Sequence, residues 1–256
     1  MTSSPELFTG TGGPGGADSG QQPEGQRQNC YRCRRPLQNC LCPTEAPLPT
    51  RSRIVLLMHP HEFKKRKCNT GLLTCLNLQN SEYIYSLDMD GHPRVRELLA
   101  DPHNFCLLLY PGPQAVNISA DDFSAGSLED FQAGAQRLVI FLIDATWSLA
   151  YKLLRDNPGL LRMPQFKLTP LQASRYVIKR QPKDFCLSTL ETVHEILLAL
   201  EKAGLDSYDD KDRLIDTFKR MQDYQLQQAE VRHNPRHHIR KHRKAGEESE
   251  SPASDR

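Results

Sequence analysis

An α/β domain built around a largely parallel sheet is expected for this 256-residue chain. From residue 53 onward, short β-type runs alternate with helical stretches, the order a chain takes when helices carry it between parallel strands. The runs at 105–110 (FCLLLY) and 137–143 (RLVIFLI) are apolar at odd and even positions alike, as strands covered on both faces must be. The length suits one sizeable core with appendages. No run of about 18 apolar residues occurs, so a membrane span is not expected.

Taken in order, residues 1–28 are rich in Gly, Pro, Ser and Gln and lack apolar periodicity. They carry too little apolar surface to offset the entropy of ordering, and disorder is expected there. The start of the chain is not a basic stretch followed by an apolar one, so no secretory signal is read and a cytoplasmic protein is expected. In that setting its eight cysteines read as metal ligands or core residues rather than as disulfides. Four of them form Cys30-x2-Cys33-x6-Cys40-x-Cys42. Two close pairs joined by a short loop can wrap one tetrahedral ion, and zinc fits four thiolates with no open position, which makes residues 29–50 a structural zinc knuckle. Tyr31, Arg32, Arg34 and Arg35 lie on the same knuckle, which leaves two readings: contact with RNA through a ring and guanidinium groups, or a clasp that pins the N-terminal segment. Cys106, inside FCLLLY, is expected in the core, and a catalytic cysteine is the weaker reading for Cys68, Cys75, Cys106 and Cys186.

Within residues 51–231, strands are expected at 53–59, 82–87, 105–110, 137–143 and 175–179. Helices are expected around 70–78, 94–99 and 148–155. The clearest helix follows Ser188-Thr189-Leu190-Glu191, a capping box. Val193, Ile196, Leu197 and Leu200 then recur at helical spacing and Gly204 marks the stop. A last helix spans 209–231 with Leu214, Ile215, Phe218 and Met221 as its apolar stripe.

The net charge is only +2, but its placement is uneven. Lys64 to Lys67, the set Arg175, Lys179, Arg180 and Lys183, and the tail 232–244 are basic; the tail carries six Lys/Arg and four His with no acid. Such runs neutralise phosphates, which points to a polyanionic partner, although a solvated terminal run at 232–256 explains the tail equally well.

Open α/β sheets bind ligands beyond the carboxyl ends of their strands. His59-Pro60-His61-Glu62, Tyr110-Pro111-Gly112-Pro113 and Asp144-Ala145-Thr146-Trp147 fall there. No G-x-G-x-x-G follows an expected strand and no G-x-x-x-x-G-K-[ST] is present, so dinucleotide and triphosphate sites lack their usual support.

Together these segments resemble the DTW-domain family, the S-adenosylmethionine-dependent aminocarboxypropyltransferases that modify uridines in tRNA, as in its bacterial members. The resemblance runs from Cys30 to about Tyr224. It rests on the four-cysteine knuckle, His59-Pro60 followed by a basic stretch and Asn69-Thr70, Leu109-Tyr110-Pro111-Gly112, the D-x-T-W of Asp144, Thr146 and Trp147, and Cys186-Leu187-Ser188-Thr189-Leu190-Glu191. It implies a SPOUT-like knotted sheet flanked by helices, a tRNA partner, and transfer of the 3-amino-3-carboxypropyl group to uracil N3 with release of methylthioadenosine.

On that resemblance, Asp144, Thr146 and Trp147 are the catalytic candidates, and Leu109, Tyr110, Pro111, Gly112, Leu187, Ser188 and Thr189 the cofactor-binding ones. His59, Asn69, Thr70, Arg175, Lys179 and Arg180 are placed with the substrate. Bland readings stand beside these. Asp144 could cap the helix that follows it, Thr146 could cap the turn, and Trp147 could be core. His59 could be a satisfied structural residue, Arg175 could take the cofactor carboxylate rather than a phosphate, and Glu191 completes the capping box. The rival functions are the same transfer to ribosomal RNA, a methyltransferase, and a zinc-knuckle RNA-binding protein without catalysis.

Overall fold

The computed structural model describes residues 28–60, 69–128, 137–170, 172–178 and 186–231. The chain ends, the basic run 64–67, Cys68, and Lys179, Arg180 and Lys183 lie outside the described residues.

Six parallel strands form one sheet: β1 (Arg53–Met58), β2 (Ser81–Tyr85), β3 (Asn104–Leu109), β4 (Val116–Asn117), β5 (Arg137–Asp144) and β6 (Gln165–Lys167), in the order β2-β1-β5-β3-β6-β4. β5 is central, pairing with β1 on one side and β3 on the other. The double-sided apolar character of its sequence follows from this position. Leu138, Ile140 and Leu142 enter one core with Ile54, Leu56 and Leu107, while Val139 and Phe141 enter the other with Val55, Leu57 and Leu108. Successive side chains alternate between faces.

Helices cover both faces. α1 (Thr70–Asn77), α4 (Thr189–Lys202) and α5 (Arg213–Val231) pack together on the first core. α2 (Pro93–Ala100) and α3 (Trp147–Asp156) bury Val95, Leu98, Leu153 and Leu154 in the second. The capping box of α4 forms as the sequence predicts, with the Ser188 hydroxyl accepting from the Glu191 N–H and the Glu191 carboxylate accepting from the Ser188 N–H. At the other end Gly204 has φ +73°. Its N–H reaches the Glu201 carbonyl and that of Leu205 the Leu200 carbonyl, the paired bonds of a left-handed helix stop that favours glycine.

Two strand expectations change. Residues 175–178 are not a strand. Their backbone groups are taken by side chains instead, Arg175 N–H by Glu191 Oε1, Val177 N–H by Gln222 Oε1, and the Arg175 carbonyl by Gln222 Nε2. A β-rich composition therefore gives a segment without a ladder. Conversely, β4 and β6 have two and three residues, too short for periodicity to register.

The knuckle segment joins the same fold. Cys30, Cys33 and Leu41 belong to the first core, and Asp206 accepts from the backbone N–H groups of Arg51 and Ser52 at 2.7 and 3.0 Å. No described helix is long and apolar enough to cross a membrane.

Candidate active site

β5 ends on Asp144, opposite Met58 at the end of β1. The carboxylate is buried, at 8% exposure. Its Oδ1 accepts a hydrogen bond from Thr189 Oγ1 at 2.7 Å. Its Oδ2 faces the first turn of α1 so closely that a Cβ at Gly71 would lie 2.3 Å from it and 2.7 Å from Met58 Cε. Glycine at 71 thus allows a helix N-terminus, with its partial positive charge, to approach the carboxylate. α3 begins at Trp147 with Thr146 as N-cap, and the Thr146 side chain makes no capping bond.

Around it lies a cavity of about 940 Å³ at the carboxyl ends of the strands. Leu109, Tyr110 and Pro111 come from the end of β3, Leu142 to Asp144 from β5, Phe166 to Leu168 from β6, Thr146 and Trp147 from the start of α3, and Leu187, Ser188 and Thr189 from the start of α4. Thr70 completes the wall. Segments far apart in sequence meet here because parallel strands all end on one side of the sheet.

Other expected residues stand elsewhere. Gly112 is buried behind the wall, where a Cβ would fall 1.7 Å from Gln165 Oε1. Asn69 is the N-cap of α1, accepting from Leu72 N–H at 2.9 Å. His59 follows β1 and is half-buried outside the cavity lining. Arg175 is exposed, beside Glu191, His194 and Glu195 in a small crevice rather than in the cavity. Trp147 is not core but 63% exposed on the cavity rim. Arg35 is buried at 4% exposure and so is not a surface cation on the knuckle, whereas Tyr31 is 90% exposed.

Four contributors were not legible in sequence. Tyr151 lines the rim one helical turn after Trp147, a spacing that could have flagged it. Phe166 forms a wall from a segment without periodic signal, and Tyr176 one from the stretch expected to be a strand. Glu191 does more than close the capping box: it also accepts from Ser174 Oγ at 2.9 Å and from Arg175 N–H at 2.6 Å. One buried carboxylate thereby ties residues 174–175 to the loop that carries Leu187, Ser188 and Thr189.

Two titrating groups flank these elements. Burial in apolar surroundings, reinforced by the charge of Asp144, pushes the Cys75 thiol up to about 12, so it stays neutral. His194, bonded through Nδ1 to the Tyr208 hydroxyl at 3.0 Å, is held below the ordinary histidine range by burial and then by Arg175.

The four knuckle sulfurs lie within 4.8 Å of one another, with Cys30 to Cys42 at 3.6 Å and Cys33 to Cys40 at 3.7 Å. Zinc–sulfur bonds of about 2.3 Å in a tetrahedron require sulfurs about 3.8 Å apart. The cluster fits that ion, and the turn is closed by Cys30 N–H to Arg35 O and Arg34 N–H to Cys30 O.

The DTW domain matches residues 27–226. The chain belongs to the DTW-domain family. This DTW-domain protein is 34% identical over 186 residues to tRNA-uridine aminocarboxypropyltransferase 2 of Drosophila melanogaster, covering 70% of this chain and 69% of the fly protein. It is 33% identical over 187 residues to the protein of that name in Macaca fascicularis, covering 71% of this chain and 59% of the relative. Similarity to tRNA-uridine aminocarboxypropyltransferase A of Arabidopsis thaliana is 26% over 200 residues, with 70% and 75% covered. No solved structure matches.

Proposed function

We propose that this DTW-domain protein transfers the 3-amino-3-carboxypropyl group of S-adenosylmethionine to N3 of a uridine in tRNA, leaving methylthioadenosine. The observation that carries this reading is the buried Asp144 carboxylate, held by Thr189, in the wall of a cavity whose size lies within the range of small-ligand sites. The names of the fly, macaque and Arabidopsis relatives support it.

When bound, S-adenosylmethionine supplies a sulfonium whose chain carbon is the electrophile. Leu109, Tyr110, Leu142, Phe166, Leu168 and Leu187 offer apolar walls for the adenosine. The first turn of α3, without a side-chain cap, offers backbone N–H groups suited to the carboxylate of the amino-acid chain. Holding the chain carbon, rather than the methyl, in line with the nucleophile selects which group moves. Asp144 accepts the proton of uracil N3 as the new N–C bond forms; the C–S bond breaks and the sulfur keeps its electron pair as a neutral thioether. Thr189 keeps Asp144 aimed, and Thr146 and Trp147 border the reacting end. Thr70 lines the substrate side, with His59, Arg175, Lys179 and Arg180 as further RNA contacts. Cys30, Cys33, Cys40 and Cys42 would hold a structural zinc, since four thiolates leave no position for substrate.

A SPOUT-like knotted crossing is part of the proposal, supported by the return of the chain after β6 to set residues 187–189 against the ends of β3 and β5. So is a cytoplasmic site of action. Nucleoside mass spectrometry of RNA from cells with and without the protein tests the reaction. Loss of aminocarboxypropyluridine from tRNA is expected. An unchanged profile, or an unchanged product with Asp144→Ala, would sink the reading; a methyl-sized difference would make it a methyltransferase, and loss from ribosomal RNA would move the substrate. Absence of S-adenosylmethionine binding in calorimetry would leave only an RNA-binding protein.

A further inference from the structure

α3 is amphipathic, and its apolar stripe has an unusual course. Trp147, Ala150, Tyr151 and Leu154 follow one another at i, i+3, i+4 and i+7, which places them along one face. Leu154 is buried in the second core, and the same stripe should continue into that core toward the helix N-terminus. It does not: Trp147 is 63% and Tyr151 70% exposed. Both rings instead border the cavity, together with Ser148 and Ala150. Two large aromatic side chains in solvent, one turn apart on a rigid helix at the mouth of a cavity, form a surface with an apolar body and polar tips.

We infer that Trp147 and Tyr151 form a stacking platform that receives an unpaired base of the RNA substrate and delivers it to the edge carrying Asp144. The inference rests on the proposed function, and adds to it that the substrate is recognised as an unstacked, single-stranded nucleotide. A uracil whose N3 is to be alkylated cannot remain in a Watson–Crick pair, because that atom is the one paired. An exposed aromatic pair recovers part of the stacking lost when the base leaves its neighbours, and does so for any base. Asp144 lies three positions before Trp147, so the platform and the carboxylate border the same cavity.

Trp147 is the only tryptophan in the chain, which makes its fluorescence a reporter of this one place. The full-length protein is titrated with a single-stranded oligouridylate, with an abasic oligomer of the same length, and with a fully paired RNA duplex, and S-adenosylmethionine binding is followed separately by calorimetry. Saturable quenching by oligouridylate alone is expected. Tyr151→Ala should weaken oligouridylate binding about five- to a hundredfold, and Tyr151→Phe should retain it. S-adenosylmethionine affinity should change less than oligouridylate affinity in either variant. Equal quenching by the abasic oligomer, Tyr151→Ala binding within twofold of the wild type, or a loss confined to S-adenosylmethionine would each overturn the platform. Failure of the wild-type protein to bind S-adenosylmethionine would instead refute the transferase reading, while base-dependent quenching would leave the platform standing.

Discussion

The Thr189 hydroxyl donates to the Asp144 carboxylate at 2.7 Å, joining the end of β5 to the start of α4 across 45 positions of sequence. A hydroxyl aimed at one carboxylate oxygen fixes the rotamer of the group proposed as the base, and leaves the other oxygen beside the first turn of α1. Asp144→Asn should keep the fold and lower the transfer rate about a hundredfold or more, the range for a lost general base. Thr189→Val should lower it less, about tenfold, because the base remains and only its aim is lost. Single-turnover rates with tRNA check both. Wild-type rates in Asp144→Asn would leave Asp144 as an anchor only.

Gly71 tests the same corner from the opposite side. A methyl group there would sit 2.3 Å from Asp144 Oδ2, so Gly71→Ala must displace the carboxylate or the helix. Overpacking of this kind costs about 1–3 kcal/mol. Thermal melts should show that loss, and the transfer rate should fall with it. A neutral melt with full activity would mean that α1 stands farther from Asp144.

Glu191 is a positioning residue whose loss should be felt in cofactor binding. Its carboxylate accepts from Ser174, Arg175 and Ser188; Glu191→Ala leaves buried donors unmet, at a cost of at least about 2 kcal/mol. Because those donors lie at both ends of the stretch 174–188 that carries Leu187, the KM for S-adenosylmethionine should rise more than kcat falls. Glu191→Gln should recover part of the stability. A pure stability loss with unchanged KM at low temperature would restrict Glu191 to helix capping.

His194 gives the protein a pH dependence with a definite sign. Burial and Arg175 hold its pKa below the unfolded value of 6.5. The unfolded chain therefore takes up the proton first, and stability should fall as pH drops below 6.5 and through the depressed native value. Arg175, Glu191, Glu195, Tyr208 and Asp212 surround it. Burial raises Glu195 above 4.5 and works in the opposite sense at lower pH. Urea denaturation from pH 8 to 5 of the wild type and His194→Gln isolates the histidine contribution. Parallel pH profiles in the two proteins would contradict it.

Much of the architecture was written in local sequence. The double-sided apolar runs of β1, β3 and β5, the Ser188–Glu191 capping box and the Gly204 stop are short-range signals, set by burial on two faces and by the backbone needs of helix ends. The four-cysteine spacing is equally local. These features determined an α/β sheet with helices on both sides and a metal-sized cluster, and pointed to the strand ends that border the cavity.

What tertiary structure decided concerns partners remote in the chain. Whether Asp144 capped α3 or faced a cavity depended on Thr189 and Gly71, neither of which is near it in sequence. Trp147 is aromatic and at helical spacing, and only its place at the cavity mouth left it exposed. Residues 175–178 have strand composition, but the side chains of Glu191 and Gln222 took the backbone bonds that a neighbouring strand would have supplied. Composition fixes which groups must be buried or bonded; packing chooses the partner, because burial and hydrogen bonding can be satisfied by any suitable group the fold brings within reach.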